Sequence, residues 1–177
     1  MLVFNCLTYI CTMKQLTHIV FDWGDTLMRD FPEKPGAMAH WDYIEVLDGV
    51  EKTLVKLSRK YCLAVATNAG VSDTSLMRFA LKRGGIESYF SHFFSSKDLG
   101  YAKPDMRFFQ NICIQMNVRS NHCLFVGNDY KKDIEGAAKS GMKTIFFNHA
   151  NLIGDFSLAN EIVDSFEVIP EAINRIK

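Results

Sequence analysis

Short apolar runs alternate with longer amphipathic segments along the 177-residue chain. Runs rich in β-branched and aromatic residues predict strands at residues 17–21, 62–67, 123–127 and 144–147, with a weaker strand near 89–94. Helical spacing of apolar residues predicts helices near residues 50–60, 72–83, 104–117 and 131–140. This alternation of strands and helices is typical of a parallel sheet.

Boundary signals support the predicted helices. Ser72 is placed to cap the amino end of one helix, and Pro104 suits the first turn of the next. Gly84 and Gly141 suit the carboxyl ends of two helices. We therefore predict an α/β protein with a three-layer Rossmann-like fold, in which helices cover both faces of a parallel central sheet. Ligands of such folds bind beyond the carboxyl ends of the strands.

Polar side chains cluster at those predicted strand ends. They are Asp22 after the first strand, Thr67 and Asn68 at the second, Asn128, Asp129 and Asp133 after the 123–127 strand, and Lys103 before a predicted helix. Clustered carboxylates repel one another and need a cation or a proton between them. Oxygen ligands suit Mg²⁺, which is usually bound together with substrate phosphate. Carboxylates, a hydroxyl and a lysine around such a cation indicate a phosphoryl-transfer site.

Composition and charge exclude several classes of function. Twenty Lys and Arg balance twenty Asp and Glu, and the pI is near 6.9. This balance argues against nucleic acid or an anionic membrane as a partner. A hydrophobic content of 48% excludes a disordered chain. The five cysteines include no Cys-x-x-Cys pair, so we expect a cytoplasmic protein with reduced thiols.

The start of the chain is a separate question. Residues 1–12 are apolar and uncharged, but they lack the basic start and the small-residue cleavage site of a signal peptide. They are also too few to span a bilayer. Two interpretations stay open, namely an added strand or a read-through upstream of a true start at Met13. We predict an N-terminal extension of uncertain status at residues 1–14 and a single domain over residues 15–177.

Four short motifs stand in order at the predicted strand ends. They are Asp22-x-x-x-Thr26-Leu27, Thr67-Asn68, Lys103-Pro104 and Gly127-Asn128-Asp129-(x)₃-Asp133. In residue type, order and placement this set resembles the haloacid dehalogenase-like hydrolase superfamily, over roughly residues 15–148. One such motif alone is weak, whereas four in order are specific.

The resemblance implies a role for each matching residue. Asp22 is implied to be the nucleophile, which forms an aspartyl-phosphate intermediate. Thr67 is implied to bind the phosphoryl oxygens, with Asn68 beside it. Lys103 is implied to neutralise charge on the nucleophile and on the transferred group. The Mg²⁺ ligands implied are Asp22, the backbone carbonyl of Gly24, Asn128, Asp129 and Asp133.

The sequence departs from the family pattern in two motifs. Most phosphatases of the superfamily carry a second Asp, a general acid and base, where this chain has Gly24, and they carry Gly where it has Asp25. Three interpretations stay open: Asp25 acts as the acid, the enzyme works without one, or the domain lacks turnover. General acid catalysis contributes about 10²–10⁴-fold. In the fourth motif Asn128 replaces a common Asp, so either Asn128 or Asp129 is the direct metal ligand.

The spacing of the motifs predicts an open site. The stretches between Asp22, Thr67 and Lys103 leave no room for a large cap domain, and residues 30–47 supply only a small flap. The aromatic residues of this flap are Phe31, His40, Trp41 and Tyr43. They either wall the pocket or cover the edge of the core. An open site would admit a bulky phosphate or need a second subunit to close it.

We therefore predict a Mg²⁺-dependent phosphatase that hydrolyses a phosphate monoester through Asp22. The expected substrate is a phosphorylated small molecule or a bulky phosphate; neither nucleic acid nor membrane is expected as a partner, and the oligomeric state is not predicted. One alternative is a metal-independent 2-haloacid dehalogenase-type hydrolase, which Gly24 keeps open and which Asp129 and Asp133 disfavour. The other is a catalytically degenerate phosphate-binding domain.

Overall fold

Six parallel strands form one sheet in this computed structural model, which describes residues 16–68 and 70–176. They are β1 (His18–Phe21), β2 (Cys62–Thr67), β3 (His92–Ser95), β4 (Cys123–Gly127), β5 (Lys143–Phe147) and β6 (Glu161–Val163). The strand order is β3-β2-β1-β4-β5-β6, and each neighbouring pair is parallel. This is the order of Rossmann-type folds, so the predicted architecture is confirmed. The proposed extension at residues 1–14 lies outside the described residues.

Helices lie in the connections from β1 to β5 and after β6. They are α1 (Val50–Leu57), α2 (Thr74–Arg83), α3 (Ser96–Leu99), α4 (Met106–Gln115), α5 (Gly136–Lys139) and α6 (Ile169–Arg175), and a π-helix (Tyr130–Glu135) leads directly into α5. β6 and α6 were not predicted from the sequence, and β3 was predicted too early, where a 3-10 turn (Glu87–Tyr89) precedes the strand. None of the helices between residues 16 and 176 is long and apolar enough to cross a membrane.

The carboxyl-terminal cap predicted for α2 is correct, whereas the predicted amino-terminal signals of α2 and α4 are shifted by one or two residues. Gly84 caps the carboxyl end of α2, as predicted. The predictions for Ser72 and Pro104 were wrong. Asp73 caps α2 and Asp105 caps α4, because each carboxylate accepts a backbone N–H from the first turn of its helix. Pro104 therefore lies just before its helix rather than inside the first turn.

Alternate residues of the central strands point to opposite faces of the sheet and build two cores. One core contains Phe21, Val65 and Val126 and packs against α1, α2 and α6. The other contains Val20 and Phe125 and packs against α4 and α5. The sheet is therefore the middle of three layers.

The strand register brings the carboxyl ends of β1, β2 and β4 to one level. Phe21 pairs with Val65 on one side and with Val126 on the other. The backbone N–H of Asp22 donates to the carbonyl of Val126 at 2.9 Å. The chain runs outward from β1 through β2 to β3 and then returns to the opposite side of β1 as β4. Such a switch point is where open parallel sheets bind their ligands.

The connection from β1 to α1 forms a small flap over this edge. Among its described residues, the only helical turn is a 3-10 turn (Met38–His40), so a small flap without a large cap domain is confirmed. The Arg83 guanidinium on α2 holds the flap by donating to the backbone carbonyls of Ala39 at 2.9 Å and Trp41 at 2.7 Å. The Trp41 ring is buried and packs 5.9 Å from the ring of Phe31.

Candidate active site

A buried lysine joins two carboxylates at the carboxyl end of the sheet. Lys103 Nζ lies 2.5 Å from Asp22 Oδ1 and 2.7 Å from Asp133 Oδ1. The side chains of Lys103, Asp22 and Asp133 are only 3%, 9% and 1% exposed. Buried ions are stable only when they are paired. One ammonium group against two carboxylates leaves an excess of negative charge, which a bound cation would balance.

Burial and charge shift two pKa values in this cluster. Burial disfavours the charged form of Lys103, but the carboxylates of Asp133 and Asp22 outweigh burial and raise its pKa. Burial raises the pKa of Asp133 to about 6; Lys103 opposes this shift and Asp22 adds to it. Lys103 is therefore a fixed cation. A second cation near Asp133 would favour its ionised form.

The turn after β4 delivers Asp133 to the cluster. Asp133 lies in the π-helix (Tyr130–Glu135), a wide form of helical turn that is frequent at functional sites. The backbone N–H of Asp129 donates to Asp133 Oδ2 at 3.0 Å. A β-carbon at Gly127 would overlap the Asp133 carboxylate, so only glycine leaves room for this approach.

Asn68 holds the backbone of Lys103. Its side-chain amide donates to the carbonyl of Lys103 at 2.9 Å, and its carbonyl oxygen accepts the Lys103 N–H at 2.7 Å. The Lys103 ammonium also lies 3.5 Å from the carbonyl of Ala66 and 5.5 Å from the centre of the Phe125 ring. Sequence reasoning grouped Asn68 with substrate binding and did not predict this contact, because the two residues are distant in the chain.

Thr26 links the first and fourth motifs. Its buried hydroxyl lies 3.1 Å from both Asp22 Oδ2 and Asn128 Oδ1, so the Asn128 oxygen is close to the nucleophile predicted from the sequence. Asp129 is held elsewhere, because its carboxylate accepts the Lys132 N–H at 3.0 Å and lies 2.8 Å from Lys132 Nζ. Partial burial raises the pKa of Asp129, but Lys132 outweighs it and the net shift is downward.

The segment after Asp22 has an unusual backbone. Asp25 adopts a left-handed conformation with a φ of 53°, which few residue types other than glycine tolerate. Its Oδ1 accepts the backbone N–H of Asp30 at 3.0 Å. A β-carbon at Gly24 would lie 3.5 Å from Asp30 Cβ and 3.7 Å from Asp30 Oδ2. Partial burial raises the pKa of Asp30, and the charges of Asp25 and Asp22 raise it further.

An open cavity of about 340 Å³ lies at this edge of the sheet. Every site residue predicted from the sequence lines it, and so do Asp30 and Lys132, which sequence reasoning missed. No motif marks these two residues, because Asp30 reaches the cavity through the flap and Lys132 through its pair with Asp129.

A second cavity of about 190 Å³ adjoins the first. Its own walls include Trp23, Met38 and Trp41, so it is more apolar. Trp41 therefore has both of the roles predicted for the flap aromatic residues, because it covers the edge of the core and also walls a cavity. The two cavities share four residues, which are Gly24, Asp30, Thr67 and Asn68.

The oxygen donors of this site are of the kind that Mg²⁺ takes. Within residues 16–68 and 70–176, no group of three or more His, Cys, Asp or Glu side chains is arranged to hold a metal. Mg²⁺ usually takes only one or two carboxylates, with water and substrate phosphate completing its coordination. The buried carboxylates of Asp22 and Asp133, with the amide oxygen of Asn128 near Asp22, match that chemistry.

Comparison with known proteins gives a consistent family. A family model described as haloacid dehalogenase-like hydrolase matches residues 7–147. Over 97 residues the chain is 33% identical to a glyceraldehyde 3-phosphate phosphatase of Methanothermobacter thermautotrophicus, covering 54% of this chain and 42% of that protein. It is 26% identical over 106 residues to (S)-2-haloacid dehalogenase 1 of Pseudomonas sp. strain CBS-3, covering 59% and 46%. The chain thus spans less than half the length of both relatives.

Solved structures share the fold. The structure of an uncharacterized protein from Listeria monocytogenes serotype 4b superimposes with a TM-score of 0.81 and 21% sequence identity. The match covers 91% of this chain and 98% of that one. The six-stranded sheet and its helices are therefore a recurrent arrangement.

Proposed function

Since this chain belongs to the haloacid dehalogenase-like hydrolase family, we propose that it is a Mg²⁺-dependent phosphatase with Asp22 as its nucleophile. The observation that carries the proposal is the buried cluster of Asp22, Lys103 and Asp133 at the base of an open polar cavity. The catalytic unit proposed is a single domain over residues 15–177, acting in the cytoplasm.

Asp22 is held as a nucleophile must be. The Lys103 ammonium pairs with Asp22 Oδ1, and the Thr26 hydroxyl lies 3.1 Å from Asp22 Oδ2. The Asp22 side chain is therefore fixed at the end of β1. Attack by this carboxylate on phosphorus transfers the phosphoryl group to Asp22 and releases the alcohol. Water then hydrolyses the acyl phosphate. Two steps through a covalent intermediate replace one more difficult displacement.

Fixed donors stabilise the charge that develops on the phosphoryl oxygens. The ammonium group of Lys103 is buried and fixed in position. Asn68 binds the Lys103 backbone, and the carboxylates of Asp22 and Asp133 bind its Nζ. Thr67 lines the same cavity and supplies a hydroxyl. Charge stabilisation by such preorganised groups is usually the largest part of catalysis.

Mg²⁺ would be held by Asp22, Asp133, Asn128 and the backbone carbonyl of Gly24. Asn128 is preferred to Asp129 because its oxygen shares the Thr26 hydroxyl with Asp22, whereas the Asp129 carboxylate is bound to Lys132. When bound, Mg²⁺ would neutralise charge on the phosphate and offset the excess negative charge of the buried cluster.

The substrate class proposed is a phosphate monoester of a small molecule. A relative named as a glyceraldehyde 3-phosphate phosphatase supports this class. The open cavity and the small flap also leave room for a bulkier ester.

A dehalogenase is the second candidate, because Gly24 leaves the nucleophile without a second carboxylate two residues on, and one relative is a 2-haloacid dehalogenase. The buried pair of carboxylates around Lys103 favours the metal-dependent reaction. Turnover of 2-chloropropionate without metal would favour the dehalogenase.

The test is hydrolysis of para-nitrophenyl phosphate, with and without Mg²⁺, by the wild type and by Asp22→Asn. We expect turnover that requires Mg²⁺ and is lost in the variant, because an amide is a poor nucleophile. Circular dichroism of the variant controls for folding. Activity that persists in Asp22→Asn, or a folded wild type without phosphatase activity, would contradict the proposal.

A further inference from the structure

The reaction proposed above needs a proton for the departing alcohol. Position 24 carries no side chain, yet the space beside it contains a carboxyl group. Asp30 Oδ2 lies 3.7 Å, and Asp30 Cβ 3.5 Å, from where a β-carbon at Gly24 would be. The flap therefore brings a carboxylate to the place that a longer residue at position 24 would reach.

Asp25 is less suited to this task. Its Oδ1 accepts the backbone N–H of Asp30, and its backbone N–H donates to the carbonyl of Met28 at 2.7 Å. Asp25 thus closes the turn that carries Asp30 toward Gly24. Asp30 has its own carboxylate at the cavity wall and is exposed to solvent, so it can exchange a proton with water.

Asp30 is the one carboxylic acid among the four residues that the two cavities share. The polar cavity contains Asp22 and Lys103 and suits the phosphoryl group, whereas the smaller one, walled by Trp23 and Trp41, suits the organic part of an ester. Asp30 lines both. The bond between phosphorus and the leaving oxygen would lie at this junction.

We propose that Asp30 is the general acid and base of this enzyme, an inference that rests on the proposed phosphatase activity. As the Asp22 carboxylate forms its bond to phosphorus, the bond to the leaving oxygen breaks, and that oxygen keeps the electron pair and takes the Asp30 proton. A water molecule then attacks phosphorus and gives a proton to the Asp30 carboxylate. The bond between phosphorus and Asp22 breaks with its electron pair returning to Asp22, and inorganic phosphate is released.

The experiment compares phenyl phosphate with para-nitrophenyl phosphate, two esters of similar shape. Phenol is the poorer leaving group and depends more on protonation. For Asp30→Asn we expect kcat/KM to fall by about 10²–10⁴-fold on phenyl phosphate and by less than about tenfold on para-nitrophenyl phosphate. Asp42→Asn, an exposed Asp of the same flap, is the matched control and should behave as wild type.

A rescue variant distinguishes chemistry from structure. A β-carbon at Gly24 would make only ordinary van der Waals contacts, all of them with Asp30, so the backbone of position 24 leaves room for the start of a side chain in Gly24→Asp. In the Asp30→Asn background, Gly24→Asp should restore at least about tenfold of the lost kcat/KM on phenyl phosphate. A merely structural role of Asp30 would not be rescued from another position.

The outcomes separate this inference from the function on which it rests. An active wild type whose Asp30→Asn variant is unimpaired, or equally impaired on both esters and not rescued, would overturn the role of Asp30 and leave the phosphatase intact. A folded wild type that hydrolyses neither ester with Mg²⁺ would overturn the phosphatase itself.

Discussion

The floor of the site and the flap above it hold their polar groups in different ways. The floor consists of Asp22, Lys103 and Asp133, whose side chains are almost fully buried and bind one another. The flap, residues 30–47, is held by the backbone contacts of Arg83, and its Asp30 is open to solvent. The floor can therefore perform a reaction common to all phosphate esters. The flap is the part that can adapt to a particular leaving group.

The free-energy cost of disrupting a polar contact is also larger in the floor than in the flap. Ions as deeply buried as those of the floor are tolerable only as a complete set, so removing one partner leaves an uncompensated charge in a nonpolar environment. Groups in the flap can exchange protein contacts for water at small cost. The floor should therefore respond to substitution in both stability and activity. The flap should respond mainly in substrate affinity, except at Asp30, whose carboxylate is proposed to take part in the reaction.

The largest effect should follow from Lys103→Met. The variant leaves two buried carboxylates facing each other, so we expect the free energy of unfolding to fall by about 3–5 kcal/mol. Turnover of para-nitrophenyl phosphate should fall by at least about 10²-fold, because a preorganised charge is lost. Urea denaturation and steady-state kinetics measure the two effects.

The matched control for Lys103→Met is Lys52→Met. Lys52 Nζ lies 2.9 Å from Glu167 Oε1 in an exposed ion pair, and Lys52 lines neither cavity of the site. Lys52→Met should leave the free energy of unfolding and the turnover of para-nitrophenyl phosphate nearly unchanged. Equal stability losses in the two variants would contradict the contrast between buried and exposed pairs.

An intermediate effect should follow from Gly127→Ala, which alters the floor without changing any charged group. The new methyl group would overlap the Asp133 carboxylate and displace it. Small displacements of a catalytic group can cost about 10²-fold in rate. We expect a loss of this order, with a higher Mg²⁺ concentration needed for half-maximal activity. A Mg²⁺ titration identical to that of the wild type would argue against Asp133 as a ligand.

The smallest effect should follow from Arg83→Ala, which releases the flap. The loss of its bonds to the carbonyls of Ala39 and Trp41 should lower the free energy of unfolding by about 1 kcal/mol. We expect KM for phenyl phosphate to rise while kcat changes little. Arg78→Ala on the same helix is the control, because Arg78 pairs with Glu87 instead. A fall in kcat with constant KM would contradict this expectation, because it would mean that the Arg83 contacts act on the reaction itself and not on substrate binding.

The sequence predicted the floor better than the flap for a physical reason. Asp22 and Asn128 directly follow β1 and β4, and Thr67 ends β2, so a parallel register alone brings these residues together. Strand composition and short motifs were sufficient for that placement. Strand composition predicted a parallel sheet covered by helices on both faces, but it did not predict the order of the strands. β6 was not predicted, because a strand of three residues shows little pattern.

The approach of Asp30 to Gly24 could not be predicted in this way. It depends on a turn in which Asp25 takes a left-handed conformation and binds the backbone of Asp30. The contact of Asn68 with Lys103 likewise depends on how a loop returns to the sheet edge. Neither arrangement has a periodic signal, because both are set by tertiary contacts.

The most direct test of the central claim is detection of the phosphorylated enzyme. Wild type and Asp22→Asn would be mixed with para-nitrophenyl phosphate and Mg²⁺, quenched in acid within the first turnover, and analysed by intact mass and peptide mapping. We predict a mass gain of one phosphoryl group in the wild type, located at Asp22 and absent from the variant. A phosphoryl group on another residue, or the same mass gain in Asp22→Asn, would contradict the account.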